Sequence, residues 1–507
     1  MSVVLQVGII VGYLVVALAV GLLAYRVTER TAEDYYLASR SFGTVVLLFT
    51  VFATLLSAFT FFGGPDNAYS LGPEWILVMG LMDGLIFALL WYLFGYKQWL
   101  MGRRRGYVTL GELLDDRFDA RGLRGLVAGI SLFWLFPYVM LQQVGAGGAI
   151  EGLTDGAVPF WAGATLITAF MIVYVVLAGM RGIAWTDTLQ GVFMLSMVWL
   201  ALGWVLLAVD GGIGTINAGI QAEAPELFAL GGGAYTPQFM LTFAISIAFG
   251  VTMFPQINQR FFAADSEAVL KRTFALWPVL VLLLFVPAFL LGTWAVGLGI
   301  TADVAAGQSV LPLVLAAYTP GWFAALVVAG AIAAMMSSSD SMLLSGASYF
   351  TRDLYRPFVD ADLDERRENR LGRLGVVVFA VGALLASIWV EGGGLGAATV
   401  GSLLVQIGDL AFGGFAQLAG PVGLALYWRE TTRTGMYAGI LSSQALYLAF
   451  NVLPVVDIGG LQVFATTYFG WGLSLYLIAL GTIVTLVASA VTDPSPGARP
   501  EIIEVNR

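Results

Sequence analysis

Apolar runs of about twenty residues alternate with short polar loops along almost the whole chain, and a run of that length crosses the hydrocarbon core of a bilayer as one helix. Thirteen such runs are predicted spans: 3–25, 44–64, 75–96, 125–150, 158–178, 183–208, 237–256, 273–298, 321–350, 374–390, 397–428, 434–453 and 465–490. The polar stretches between them, the longest being 97–124, 209–236 and 352–373, are too short for a soluble domain. The first run lacks the basic flank and small-residue cleavage site of a signal peptide, so Val3–Tyr25 reads as a retained span.

Two runs are interrupted. The second carries Ser57, Ala58 and Thr60 at mid-depth and ends in Gly63-Gly64-Pro65, a sequence that holds a helix poorly. The seventh carries Gly250 and Pro255. Openings are expected near Leu56–Ser57 and Gly250–Pro255; the alternative for the second run is a span that simply ends early, with Gly63-Gly64-Pro65 as its outer turn. Irregular backbone at membrane depth is tolerated only beside protein or a water-filled cavity. Interrupted spans at matching places in two inverted halves point to a transporter's binding site.

Charge orders these spans. All 24 Lys and Arg fall on one side of the thirteen-span path, in the loops 26–40, 97–124, 260–272, 352–373 and 429–433, at Arg181 and in the tail. The positive-inside rule then puts the N-terminus outside and the C-terminus in the cytoplasm of a cell-membrane protein. The expected organisation is a first span and loop (1–43), one five-helix repeat (44–208), an inverted second repeat (209–433), and two added spans with a short tail (434–507).

Composition removes whole classes of chemistry. Among 507 residues, 59% hydrophobic and 11% charged, there is no Cys and no His. That excludes disulfides, thiolate metal sites and imidazole catalysis. A net charge of −9 without a basic stripe argues against a nucleic-acid partner. Only Lys97 and Lys271 are lysines, an acidic balance that suggests a salt-rich cytoplasm.

Four carboxylates fall inside spans: Asp83, Asp187, Asp340 and Asp409. Each costs at least ~2.5–3.5 kcal/mol at mid-depth, and no Lys or Arg falls inside a predicted span to pair with them. They are expected to face a wet interior and attract cations, although Asp187, five residues past Gly182, could also be interfacial. In the ninth span, helix geometry sets the Ala334 carbonyl beside the side chains of Ser337 and Ser338. One carbonyl and two hydroxyls are the oxygen donors a small hard cation takes. Serines that merely bond back to their own turn would look the same. Gln142, Gln143 and Gln417 are candidates either to line a path or to make single interhelical bonds. Trp75, Trp322 and Trp428 read as interfacial anchors.

Several motifs together resemble the sodium/solute symporter family, which includes proline, pantothenate and sugar symporters. They are Ser57-Ala58-Phe59-Thr60-Phe61-Phe62-Gly63-Gly64-Pro65 with Tyr69, Gly106-Tyr107-Val108-Thr109-Leu110-Gly111-Glu112, Ala184-Trp185-Thr186-Asp187-Thr188-Leu189-Gln190, and Ser337-Ser338-Ser339-Asp340-Ser341 with Asp353-Leu354-Tyr355. The resemblance implies an all-α polytopic fold of the LeuT type, an inverted five-plus-five helix repeat. It implies a sodium site made of the Ala53, Leu56 and Ala334 carbonyls with the Ser337 and Ser338 hydroxyls. It also implies that Asp187 serves sodium passage and that Tyr138 faces the substrate. Leu55 stands where proline-transporting members carry an aspartate, while Gly63-Gly64-Pro65 with Tyr69 is more similar to the pantothenate branch.

The expected function is sodium-coupled import of a small organic solute by alternating access, with Na+ as coupling ion and no organic cofactor or catalysis. Half-helix N-termini at the two breaks suit a substrate carboxylate such as pantothenate, a monocarboxylate or an amino acid, with Thr60, Tyr138, Gln142 and Phe254 as contacts. The alternatives are a symporter for a neutral sugar or polyol, or a transporter-like sensor, for which the seventeen residues after Ala490 offer little output domain. The expected partners are the solute, sodium and the lipid bilayer, with the chain a monomer or weak homo-oligomer.

Overall fold

The computed structural model describes residues 3–29, 31–229, 231, 235–300, 309–394, 400–452 and 467–504. The start of the eleventh predicted span (397–399) and the stretch 453–466 lie outside the described residues. Among the described residues the fold is built of helices joined by short turns, with one small hairpin, Thr467–Tyr468 with Trp471–Gly472. Among the described residues nine helices are long and apolar enough to cross a membrane, or eleven when each of two bent pairs counts as one span.

The principal helices are α1 (Val3–Tyr25), the bent pair α2 (Thr44–Leu55) and α3 (Phe59–Leu71), α4 (Ile76–Arg105), α5 (Arg121–Leu153) and α6 (Phe160–Ala208). Then come the second bent pair, α7 (Pro237–Met253) and α8 (Pro255–Ala263), α9 (Glu267–Gly297), α10 (Gly321–Phe358) and α11 (Glu365–Gly393). The chain closes with α12 (Val400–Ala416), α13 (Ala419–Tyr427), α14 (Arg433–Tyr447) and α15 (Leu473–Ala490).

The expected loop between the fifth and sixth spans is absent, because both lie in α6 and meet at Gly179, with φ 55° and ψ −144°. Only glycine fits there: φ is positive, and a Cβ would collide with the Tyr35 carbonyl.

Both spans predicted to open are bent, by 68° at α2–α3 and 60° at α7–α8. The first opening falls at Leu56, within the expected window and seven residues before Gly63; the second falls at Phe254, next to Pro255. Leu56 leaves helical geometry (φ −86°, ψ 123°) and the helix resumes at Phe59. The alternative of a span ending early at Gly63-Gly64-Pro65 does not hold, since the helix continues to Leu71. Pro65 lies in the first turn after a wide turn over Phe59–Gly63, where its missing N–H matters least. Gly64 is there for packing, since a Cβ would collide with the Phe289 ring. Gly250 likewise stays helical against the Phe412 carbonyl, and the second opening is at Phe254.

The small and hydroxyl residues of α10 let it sit in the middle, buried along nearly its whole length against α6, α5, α2, α8 and α11. The outer helices α1, α6, α11 and α15 instead turn apolar side chains outward, among them Val16, Leu200, Val378 and Val487, as a lipid-facing surface requires. Trp75 departs from its expected interfacial role, being fully buried against Phe243.

A candidate ion and solute site at the first helix break

The bend at Leu56 takes the Ala53, Thr54 and Leu56 carbonyls out of the regular ladder. In a continuous helix the Ser57 N–H would bond Ala53; here it donates to Thr60 Oγ1 at 3.3 Å. The released carbonyls face α10. Ser337 Oγ lies 2.8 Å from Ala53 O and 2.9 Å from Ala334 O. Ser338 Oγ lies 2.7 Å from Leu56 O and 2.9 Å from Thr54 O. The structure thus brings Ala53, Leu56, Ala334, Ser337 and Ser338 together and adds Thr54 O, which the sequence did not single out. Each hydroxyl has one proton for two carbonyls. Six fully buried oxygens therefore share two protons, an excess of lone pairs that suits a small hard cation.

Asp187 stands outside this cluster. It is fully buried, not interfacial, and accepts from Thr50 Oγ1 at 2.5 Å and from Arg260 Nη2 at 3.2 Å. This corrects the expectation that no cation reaches the interior. Arg260 follows Pro255 on α8, which folds inward at the 60° bend and leaves the guanidinium wholly buried. Arg260 also bonds the Gln256 carbonyl, Thr50 and Ser341. Ser341 Oγ meets Thr54 Oγ1 at 2.9 Å and the Ser337 carbonyl at 2.7 Å. Asp340, beside Ser341, accepts from Tyr174 at 2.7 Å. A continuous polar chain therefore runs from Asp187 to the oxygen cluster. An arginine in the first turns after a broken span was the signal available for it in the sequence.

On the other side of the break is a cavity of about 30 Å³, lined by residues of α2–α5, α7, α9 and α12. Thr60 and Tyr138 line it, and the Tyr138 hydroxyl lies 3.1 Å from Ser57 Oγ. Gln142 does not line it; its Oε1 accepts from the Ala58 N–H at 2.8 Å. Two amides expected to be free at the start of α3 are thus already bonded, Ser57 by Thr60 and Ala58 by Gln142. Phe254 stacks on Phe412, a wall residue, with centroids 5.6 Å apart. Gln143 bonds Thr168 and the Ala380 carbonyl, and Gln417 its own turn at Gly413; neither lines this cavity.

Comparison with known proteins bears on this arrangement. The sodium:solute symporter family matches residues 35–443. The sodium/pantothenate symporter of Escherichia coli is 29% identical over 89% of this chain and 91% of its own length. The sodium/proline symporter of Haemophilus influenzae is 28% identical over 89% of each. The substrate-bound, outward-open structure of a Na+-coupled sialic acid symporter superposes with a TM-score of 0.76 at 21% identity, covering 97% of this chain and 98% of that one.

Proposed function

This chain belongs to the sodium:solute symporter family, and we propose that it imports a small carboxylate-bearing solute on an inward sodium gradient. Its fold is that of the LeuT-type symporters, and we assign the two inverted repeats to 44–208 and 209–433, with the N-terminus outside. The observation that carries the reading is the cluster of six buried oxygens between the first break and α10. We place sodium there, on Ala53, Leu56, Ala334, Ser337 and Ser338. Unsatisfied carbonyls in a bilayer interior cost several kcal/mol each, so an ion on them favours the arrangement that holds α2 against α10. It shifts the conformational equilibrium only by its differential affinity for the two states. One sodium moving inward supplies about 2.3 kcal/mol per 100 mV, and a tenfold gradient about 1.4 kcal/mol. At one-to-one stoichiometry this supports accumulation on the order of several hundred-fold.

Asp187, joined to the cluster through Arg260 and Ser341, serves the path by which sodium leaves. Thr60 and Tyr138 touch the solute from the cavity wall; Gln142 and Phe254 act one layer behind, on the α3 terminus and on Phe412. Relatives named for pantothenate and proline carry carboxylate solutes, which supports that class here. The test is uptake into proteoliposomes against monocarboxylates, amino acids, pantothenate and sugars, with and without sodium. Saturable uptake of a carboxylate that stops when the sodium gradient is collapsed is the expected result. Sodium-driven uptake of a neutral sugar alone would overturn the carboxylate class.

A further inference from the structure

Asp83 lies on α4 and lines the cavity at the first break. It is 1% exposed, and neither carboxylate oxygen has a hydrogen-bond partner among the described residues. The rest of the wall is largely apolar and carries several aromatic rings, Phe59, Phe87, Trp277, Phe285 and Phe412 among them. Trp277 is stacked on Phe87 with centroids 6.0 Å apart, and its buried Nε1–H also lacks an acceptor. One wall therefore holds an acceptor without a donor and a donor without an acceptor. A buried carboxylate left unpaired in apolar surroundings is strongly disfavoured, and aromatic faces attract cations once water is excluded.

A second acid stands on the adjoining cavity. That larger space, about 460 Å³, shares Ile247 and Phe412 with the first and is lined by Asp409, whose Oδ1 has no partner. Asp409 is one helical turn from Phe412 on α12. Among the described residues no Lys or Arg lines either cavity. A solute moving between the two passes acids only, a field that concentrates cationic groups and repels simple anions.

We propose that the solute is a zwitterion whose ammonium group pairs with Asp83 against the aromatic wall, and that Asp83 is the residue that excludes plain carboxylates. This rests on the symport reading and narrows its substrate class. Once the walls part to widen a cavity that at about 30 Å³ has room only for water, the carboxylate of the solute lies at its hydroxyl side, where Ser57, Thr60 and Tyr138 supply donors. Asp409 draws the ammonium group into the outer cavity, and Phe412 separates the two positions.

The test uses the full chain in liposomes with L-proline and glycine betaine, which carry both charges, pantothenate and pyruvate, which carry only the anion, and galactose. Binding is read by tryptophan fluorescence at equilibrium, with Trp277 in the wall as reporter, and uptake is measured separately. Wild-type protein should bind the two zwitterions at least tenfold tighter than either anion. Asp83→Asn should raise the half-saturating zwitterion concentration about 30-fold or more. Its sodium response without solute should stay within twofold of wild type. Preference for pantothenate or pyruvate in the wild-type protein, which involves no variant, would overturn the proposal. So would an Asp83→Asn protein that keeps the wild-type selection and loses only a pH dependence, since Asp83 would then be a proton carrier. If zwitterions are selected but uptake ignores sodium, the symport reading fails and this one stands.

Discussion

The two broken spans share a geometry and differ in how they satisfy it. Both bend by 60–70°, and each pivots on one residue with extended ψ, 123° at Leu56 and 128° at Phe254. At the second break the pivot carbonyl is satisfied within its own span. The Phe254 carbonyl accepts from the Ile257 and Asn258 amides at 3.1 and 3.0 Å and from Asn258 Nδ2 at 3.1 Å, and Pro255 has no N–H to satisfy. At the first break the carbonyls of Ala53, Thr54 and Leu56 meet, among the described residues, the hydroxyls of Ser337 and Ser338, more than 280 residues away. On the reading proposed above, the break whose carbonyls depend on another helix is the one that takes the cation, and the ion ties that helix to the break. The second break contributes something else: its far half carries Arg260 back to Thr50 and Asp187 beside the first.

The hardest way to break this comparison is to remove that arginine. Arg260→Met leaves the Asp187 carboxylate buried without its cation, a loss expected to be about 3–5 kcal/mol. It should appear as a large fall in thermal stability in detergent. Arg260→Met with Asp187→Leu should recover most of the stability while transport stays impaired. A stable single variant would mean that Asp187 is held neutral by another route.

The next effect is on the ion. Ser337→Ala with Ser338→Ala should raise the sodium concentration for half-maximal uptake at least tenfold, about 1.4 kcal/mol. Ser338→Ala alone should do less, and Ser338→Thr, which keeps the hydroxyl, less again. An unchanged sodium dependence in the double variant would return the serines to a packing role.

Asn258→Leu tests the other break. It removes one of three donors to the Phe254 carbonyl, so stability should fall by about 1 kcal/mol with sodium dependence unmoved. A shifted sodium dependence would make both breaks ion sites and erase the distinction. Asp187→Asn should slow turnover severalfold while equilibrium sodium affinity changes less, because Asp187 lies outside the oxygen cluster. Abolished sodium binding, measured by fluorescence at equilibrium, would put Asp187 in direct contact with the ion.

Leu56→Ile is the smallest change. Leu56 offers its carbonyl, and the side-chain volumes match, so half-maximal sodium should stay within twofold. A larger shift would mean that the break depends on that side chain and not only on the main chain.

Features that depend on neighbours in the chain were legible without a structure. Apolar run length dictated membrane helices, because a bilayer leaves the backbone no other way to satisfy itself in a single span. The Ala334, Ser337 and Ser338 oxygens lie within four residues on one helix, so their convergence is local geometry. The two interrupted spans were visible, and so was the first pivot, expected near Leu56–Ser57 and found at Leu56; the second was legible only as the window Gly250–Pro255, within which it falls at Phe254. Glycine and proline mark where a helix is weak, while packing decides whether it opens. Gly63, Gly64 and Pro65 stay helical because α9 packs on them, and Gly250 stays helical against Phe412.

Contacts across the chain decided the rest. Gln142 caps Ala58 across 84 residues, and Arg260 reaches Asp187 across 73. Arg260 reads as a loop cation because it follows an apolar run, and it becomes an interior charge only through the bend that turns α8 inward. A charge pattern along a sequence records which loops face the cytoplasm. Which polar groups inside are left without a partner, as Asp83 is, depends on every helix packed around them, and only the tertiary structure contains that information.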